Sequence, residues 1–424
     1  MLKKIPVTDL RLGMHLHALE GSWLSHPFWR TSFVLTDAAD LRTLRDSGVR
    51  ECWIDTAKGD DVAAAPAESA GANDDAGAPM DPVANALTQP APLTDLPTPR
   101  ADPVPEPSAS FEDELVRAAR LCKSSKLAVQ NLFGELRMGK ALDAKAFQPL
   151  VEELASSVFR NPGALVSLAR LKTKDDYSYL HSVAVCALMI ALARELGMGA
   201  KACREAGLAG LLHDVGKAVM PLEVLNKPGK LTDAEFHVMR SHPVRGHALL
   251  AEDGSAGAVA MDVCLHHHER VDGTGYPDAL KGEAITQMAR MAAICDVYDA
   301  ISSTRPYKPA WDPADAISKM AAWKGHFDPT LFAVFVRSLG IYPTGSLVRM
   351  RSGRLGVVVR QNPKKLTTPV VKVFYSTLTQ QPIAVTLLDL AKPDAHDAIA
   401  AREPRSAWNF PQLETLWAGE AGQR

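Results

Sequence analysis

Residues 111–139, FEDELVRAARLCKSSKLAVQNLFGELRMG, decide how the chain folds. Apolar side chains recur there every three to four positions, the spacing that gathers them on one face of a helix. The same spacing continues to about residue 340, so residues 111–342 are expected to form a helical domain. Its longest purely apolar run, Val183 to Ala193, has 11 residues. A membrane-spanning helix needs about 20, so the run reads as core packing and no membrane segment is expected.

Both flanks of this domain differ from it. From Gly345 the pattern becomes SLVRMRSGRLGVVVR, PVVKVFYS and PIAVTLLDL, short β-branched runs with a Ser-Gly turn in the first stretch. These predict a β-rich appendage over 343–392, followed by a polar, irregular tail over 393–424 whose Trp408, Phe410, Leu413 and Trp417 form a candidate docking end. Upstream, residues 57–110 hold ten of the 29 prolines and fourteen alanines, with no Phe, Trp or Tyr. Such a composition buries too little surface to offset the entropy of ordering, and it predicts a flexible linker. Residues 1–56 mix short apolar runs with the helical-looking DAADLRTLRDSG and read as a small α+β module. The expected fold class is therefore mainly α, with a small N-terminal α+β module and a small C-terminal β-rich appendage.

Composition narrows the function. Lys and Arg total 47 against 49 Asp and Glu in 424 residues, giving a net charge of -2 that argues against a long nucleic acid as partner. The six cysteines form no C-x-x-C pair, and the N-terminus lacks the apolar core of a signal peptide, so a cytoplasmic protein is expected. Histidine is distributed unevenly: eight of 13 lie between residues 181 and 268.

Within that stretch and just beyond it, ligand-type residues fall in five blocks: His181 in YLHSVAV, His213-Asp214 in LLHDVGK, His242 in SHPVRG, His267-His268 in HHHERVDGTGYP, and Asp296 in ICDVYDA. Imidazole and carboxylate without thiolate suit divalent iron, manganese, zinc or nickel rather than a structural zinc knot. Seven such side chains exceed what one ion needs, and one carboxylate inside an otherwise imidazole set can bridge two cations, which makes Asp214 the natural bridging candidate. Lys217 follows His213 by one turn, so its ammonium can face the same cavity and neutralise charge on a phosphoryl oxygen. His15, His17, His26, His237, His247, His266, His326 and His396 read as ordinary surface or core histidines.

The order H-D-x-G-K, H-P, H-H-E-x-x-D-G-x-G-Y-P, I-C-D-x-x-D-A, R-P-Y-K over about 120–340 resembles the HD-GYP family of bacterial cyclic di-GMP phosphodiesterases, helical HD-superfamily enzymes. The first 56 residues, with LRLGMHL, WLSHPF and WIDT, resemble the small domain of uncharacterised role that often precedes HD-GYP domains. The resemblance implies His181, His213, Asp214, His242, His267, His268 and Asp296 as metal ligands, with Asp214 bridging. Lys217 would contact the scissile phosphate, while Arg305 and Lys308 would hold the dinucleotide's phosphates and guanine side. Tyr276 would pack or hydrogen-bond at the pocket, and Asp272 and Asp299 would orient ligands or loop backbone. Two divalent ions, iron or manganese first and zinc or nickel next, would carry a hydroxide that attacks phosphorus and opens cyclic di-GMP to pGpG or GMP.

Some family members carry a Glu one turn before the first His, which helps bind a third metal. This chain has Tyr177 there, so a dinuclear site is expected. A role in signalling over motility and biofilm formation follows from the resemblance, with a diguanylate cyclase among conceivable protein partners and a homodimer left open. Two alternatives stand beside this reading. One is a catalytically silent cyclic di-GMP sensor or interaction protein, and the other is an HD-superfamily hydrolase of another nucleotide.

Overall fold

The structure, a computed structural model, describes residues 2–19, 33–35, 41, 45, 51–60, 104, 108–172, 177–304, 310–362 and 364–422. The chain divides into two units, Met1–Gly77 and Ala78–Arg424.

In the first unit, β1 (Leu2–Pro6), β2 (His15–Leu19), β3 (Phe33–Val34) and β4 (Glu51–Asp55) form an antiparallel sheet in the order β1-β4-β2-β3. Alternation along β4 shows why: Cys52 and Ile54 are buried while Glu51 and Trp53 face outward, the period-two pattern of a half-buried strand. Ile5, Val7, Leu10, Met14, Leu16 and Leu35 complete that small core. The stretch expected to be a linker lies largely outside the described residues, which include only 57–60, 104 and 108–110 of it.

The second unit begins with α1 (Phe111–Arg137). The Ser110 hydroxyl accepts from the Asp113 amide, and Glu112, Asp113 and Glu114 occupy the first turn, where the helix dipole favours acids. Next come α2 (Gln148–Arg160), α3 (Pro162–Ala169), α4 (Tyr177–Glu195) and α5 (Ala200–Leu212). Every residue of α4 from Val183 to Ala193 is buried, as befits a helix that is apolar all round. It forms the axis of the bundle. Two short helices follow, α6 (Leu222–Leu225) and α7 (Asp233–Met239), and then α8 (His242–Asp253), α9 (Gly257–His266), α10 (Gln287–Ser302), α11 (Pro313–Ala322) and α12 (Pro329–Leu339).

The helical region is followed by β5 (Leu347–Met350), β6 (Arg354–Arg360), β7 (Val370–Ser376), β8 (Gln381–Asp389) and β9 (Ile399–Arg402), an antiparallel sheet ordered β8-β7-β6-β5-β9. A turn through Ser352 and Gly353 joins β5 to β6, with Gly353 at φ 73°. The fifth strand comes from the stretch that its sequence presents as an irregular tail. IAAR is too short and too weakly alternating to signal a strand locally, and pairing with β5, Val348 opposite Arg402, supplies what the local pattern lacks. The chain then forms α13 (Leu413–Ala418), which buries Trp417.

Candidate metal centre

Helix ends and the middle of α10 assemble the site. His181 lies in the second turn of α4, and His213 and Asp214 directly follow α5. His242 opens α8, His267 and His268 follow α9, and Asp296 is buried in α10. A short 3-10 turn, Val215–Val219, carries Lys217 and lies against the start of α8. Only glycine fits at its second position, because a Cβ on Gly216 would stand 2.0 Å from the His242 carbonyl oxygen.

Asp214 is the midpoint. Its Oδ2 lies 3.3 Å from His213 Nε2 and 3.6 Å from His181 Nε2, and its Oδ1 lies 3.1 Å from His242 Nε2 and 3.7 Å from His267 Nε2. Each oxygen therefore faces a different pair of imidazoles. Asp296 adds Oδ1 at 2.9 Å from His181 Nε2 and Oδ2 at 3.9 Å from His268 Nδ1. The structure thus brings all seven predicted ligand residues together, and three of their groupings have ligand atoms within 4.8 Å of one another.

Three of the imidazoles are oriented alike. Nδ1 of His213 donates to Gly210 O at 2.8 Å, that of His242 to Met239 O at 2.8 Å, and that of His267 to Cys264 O at 3.0 Å. These are helix-end carbonyls, which lack intrahelical partners. In each ring Nδ1 carries a proton and Nε2 points to the centre, the arrangement a metal requires.

Burial controls the charge states. Desolvation, reinforced by neighbouring imidazoles, pushes His267 down to about 3 and His268 well below the ordinary histidine range, keeping both neutral. Burial opposes ionisation of Asp214 and Asp296, yet Lys217 and His213 beside the first and His181 and His213 beside the second hold both carboxyls well below the usual range. Burial likewise opposes charge on His213, and Asp214 with Asp296 overcomes it, pushing the ring up to about 10. Two dry carboxylates demand positive charge here. His213 Nε2 and Asp214 Oδ1 are moreover buried with no hydrogen-bond partner. Unpaired donor atoms and neutral imidazoles around ionised carboxylates suit divalent cations.

The remaining predicted residues fall around this centre. Lys217 Nζ lies 2.5 Å from Asp214 Oδ2 and is partly exposed. Tyr276 stacks on His268, and the Arg240 guanidinium also lies over its ring. Asp272 Oδ1 accepts from the Thr274 amide at 2.9 Å and its hydroxyl at 2.7 Å, shaping the loop. Asp299 accepts from His181 Nδ1 at 2.6 Å. Arg305 and Lys308 lie outside the described residues.

Three contributors go unnoticed by the sequence reading: Lys172, Arg240 and Glu269. Glu269 is buried, and its two oxygens accept from the Asp278 amide at 2.7 Å and the Leu280 amide at 3.1 Å, clamping the loop that bears Tyr276. Its place directly after the ligand pair is the only sequence signal for this. Lys172 and Arg240 carry none, since an isolated cation usually marks a solvated face.

Helix-end histidines around a central aspartate define an HD-type fold. An HD-domain family model matches residues 151–331, and one described as a domain of unknown function matches residues 2–147. A cyclic di-GMP phosphodiesterase of Pseudomonas aeruginosa is 51% identical over 422 residues, spanning 99% of this chain and 97% of the relative. The cyclic di-GMP phosphodiesterase response regulator of Xanthomonas campestris is 45% identical over 150 residues, 34% of this chain and 39% of that protein. A 3'3'-cGAMP-specific phosphodiesterase of Vibrio cholerae is 35% identical over 167 residues, 39% of this chain and 38% of that protein. The chain belongs to the HD-GYP family.

Proposed function

We propose that the protein is a metal-dependent phosphodiesterase that hydrolyses cyclic di-GMP to pGpG or GMP. The observation that carries this reading is the position of Asp214, one carboxylate oxygen facing His181 and His213 and the other facing His242 and His267. Near-full-length similarity to the Pseudomonas enzyme supports the choice of substrate.

His181, His213, Asp214 and Asp296 would hold one divalent cation, and Asp214, His242, His267 and His268 a second, iron or manganese by donor type. When bound, such ions supply Lewis acidity toward phosphoryl oxygens and acidify water. Lys217 places a fixed ammonium beside the bridge, where charge on a phosphoryl oxygen grows during cleavage. Glu269 holds the loop so that Tyr276 covers His268. Arg305 and Lys308 are assigned to the phosphates and guanine side by resemblance alone. Tyr177 in place of Glu argues for two ions rather than three.

The six cysteines are buried thiols outside any disulfide, which fits a reducing cytoplasm. Among the described residues no helix is long and apolar enough to cross a membrane.

Purified protein loaded anaerobically with Fe(II) or Mn(II) should convert cyclic di-GMP to pGpG or GMP on chromatography, and Asp214→Ala should abolish this. Equal turnover of 3'3'-cGAMP in competition would overturn the substrate assignment. Binding without turnover at full metal occupancy would favour a sensor.

A further inference from the structure

His181 differs from three of the other ligand imidazoles. His213, His242 and His267 are oriented by backbone carbonyls, whereas His181 Nδ1 donates to a side chain, Asp299 Oδ2, at 2.6 Å. Asp299 therefore needs to be held itself. Behind it stands Lys172, whose side chain is 0% exposed. Its ammonium is bonded to Asp299 Oδ2 and donates to Ser303 Oγ at 3.2 Å, while the Ser303 hydroxyl donates to Asp299 Oδ1 at 3.2 Å. Both carboxylate oxygens are thereby engaged. Two residues earlier the backbone is anchored by buried Arg170, which donates to Thr344 O at 2.9 Å.

A wholly buried ammonium is costly, and a packed apolar residue would fill the space with less penalty. The pair lies directly behind a ligand, which gives that cost a purpose. We propose that Lys172 is a positioning residue for metal binding: by pinning Asp299 it fixes the ring orientation and tautomer of His181, leaving Nε2 to face Asp214 and Asp296. The inference rests on reading the cluster as a metal centre. It predicts an asymmetry, because only the cation held by His181 depends on Lys172.

The test uses the full chain carrying Lys172→Met and metal-buffered titration with Mn(II), followed by elemental analysis. Support for a metal pairing in the native protein comes first: two sites there validate the centre, and none would refute that underlying reading instead. Given two native sites, the variant should bind one Mn(II) about 10–100-fold more weakly and the other unchanged, with kcat recovering at saturating metal. Two native affinities in the folded variant, equal weakening of both sites, or lost turnover that added Mn(II) does not restore would each overturn the proposal. Should Lys172→Met fail to fold, Ser303→Ala keeps the charge and loosens the ammonium. It should weaken the same single site by a smaller factor, and native affinity there would overturn the proposal.

Discussion

The ring of Tyr276 lies stacked on that of His268, centroids 4.7 Å apart and planes inclined by 25°. The Arg240 guanidinium sits 4.4 Å from the Tyr276 ring centroid. The ring of Tyr276 is thus engaged with its neighbours, and it serves first to hold a ligand imidazole in place. A stacked aromatic pair contributes about 0.5–1.5 kcal/mol. Tyr276→Ala should then lower kcat/KM for cyclic di-GMP by about 2- to 12-fold, while Tyr276→Phe stays near native. A large loss in the Phe variant would show that the hydroxyl, and not the stack, matters.

Lys217 should act on turnover more than on metal. Removing one fixed charge-stabilising donor costs about 10²–10³ in kcat in comparable sites, so Lys217→Ala is expected to fall in that range with its metal content intact. Loss of metal in step with activity would instead make Lys217 a support for Asp214, which it already touches.

Metal removal should be visible in stability. The folded site alone assembles the seven ligands, so each ion at about 100 times its dissociation constant should add about 2.7 kcal/mol. Melting in excess Mn(II) and in chelator reports this directly. Identical melting curves would contradict metal binding to the native fold.

How much of this was legible in the sequence differs between levels. Val183–Ala193 announced a core helix by being apolar on every face, and the ligand blocks stood out because histidines and aspartates recurred in a run of helical spacing. Strand β9 was not legible, because IAAR becomes a strand only by pairing with β5. Lys172 and Glu269 were equally silent. Each acts through a neighbour brought close by the fold, Asp299 in one case and the amides of Asp278 and Leu280 in the other.

Acid should weaken the join between α1 and α2. Glu114 is buried and accepts from Arg160 Nε at 2.7 Å, Arg160 Nη2 at 2.8 Å and Ser157 Oγ at 2.8 Å. Burial works against its charge, and Arg160 and Ser157 outweigh it, so the carboxyl titrates below its ordinary value. A group depressed in the fold stabilises above its unfolded value of about 4.3, and that contribution fades as the pH falls through the lower folded value. Glu114→Gln should cost about 1–3 kcal/mol at neutral pH. In urea titrations its deficit should shrink below about pH 4; a deficit independent of pH would assign the loss to packing.

Trp417 ties the last helix to the body. Its ring is buried, with the Arg170 guanidinium 6.0 Å from its centroid. Trp417→Ala should cost about 3–5 kcal/mol, read as a lower urea midpoint with an unchanged slope.

The helix-end carbonyls behind His213, His242 and His267 have an evolutionary consequence. No side-chain replacement can delete a backbone oxygen, so those three orientations persist through sequence drift as long as the helices end where they do. His181 has no such insurance, since its partner is encoded by a codon of its own. The orientation of three of the five ligand imidazoles is therefore inherited with the scaffold, and that of His181 is open to loss in a single mutational step.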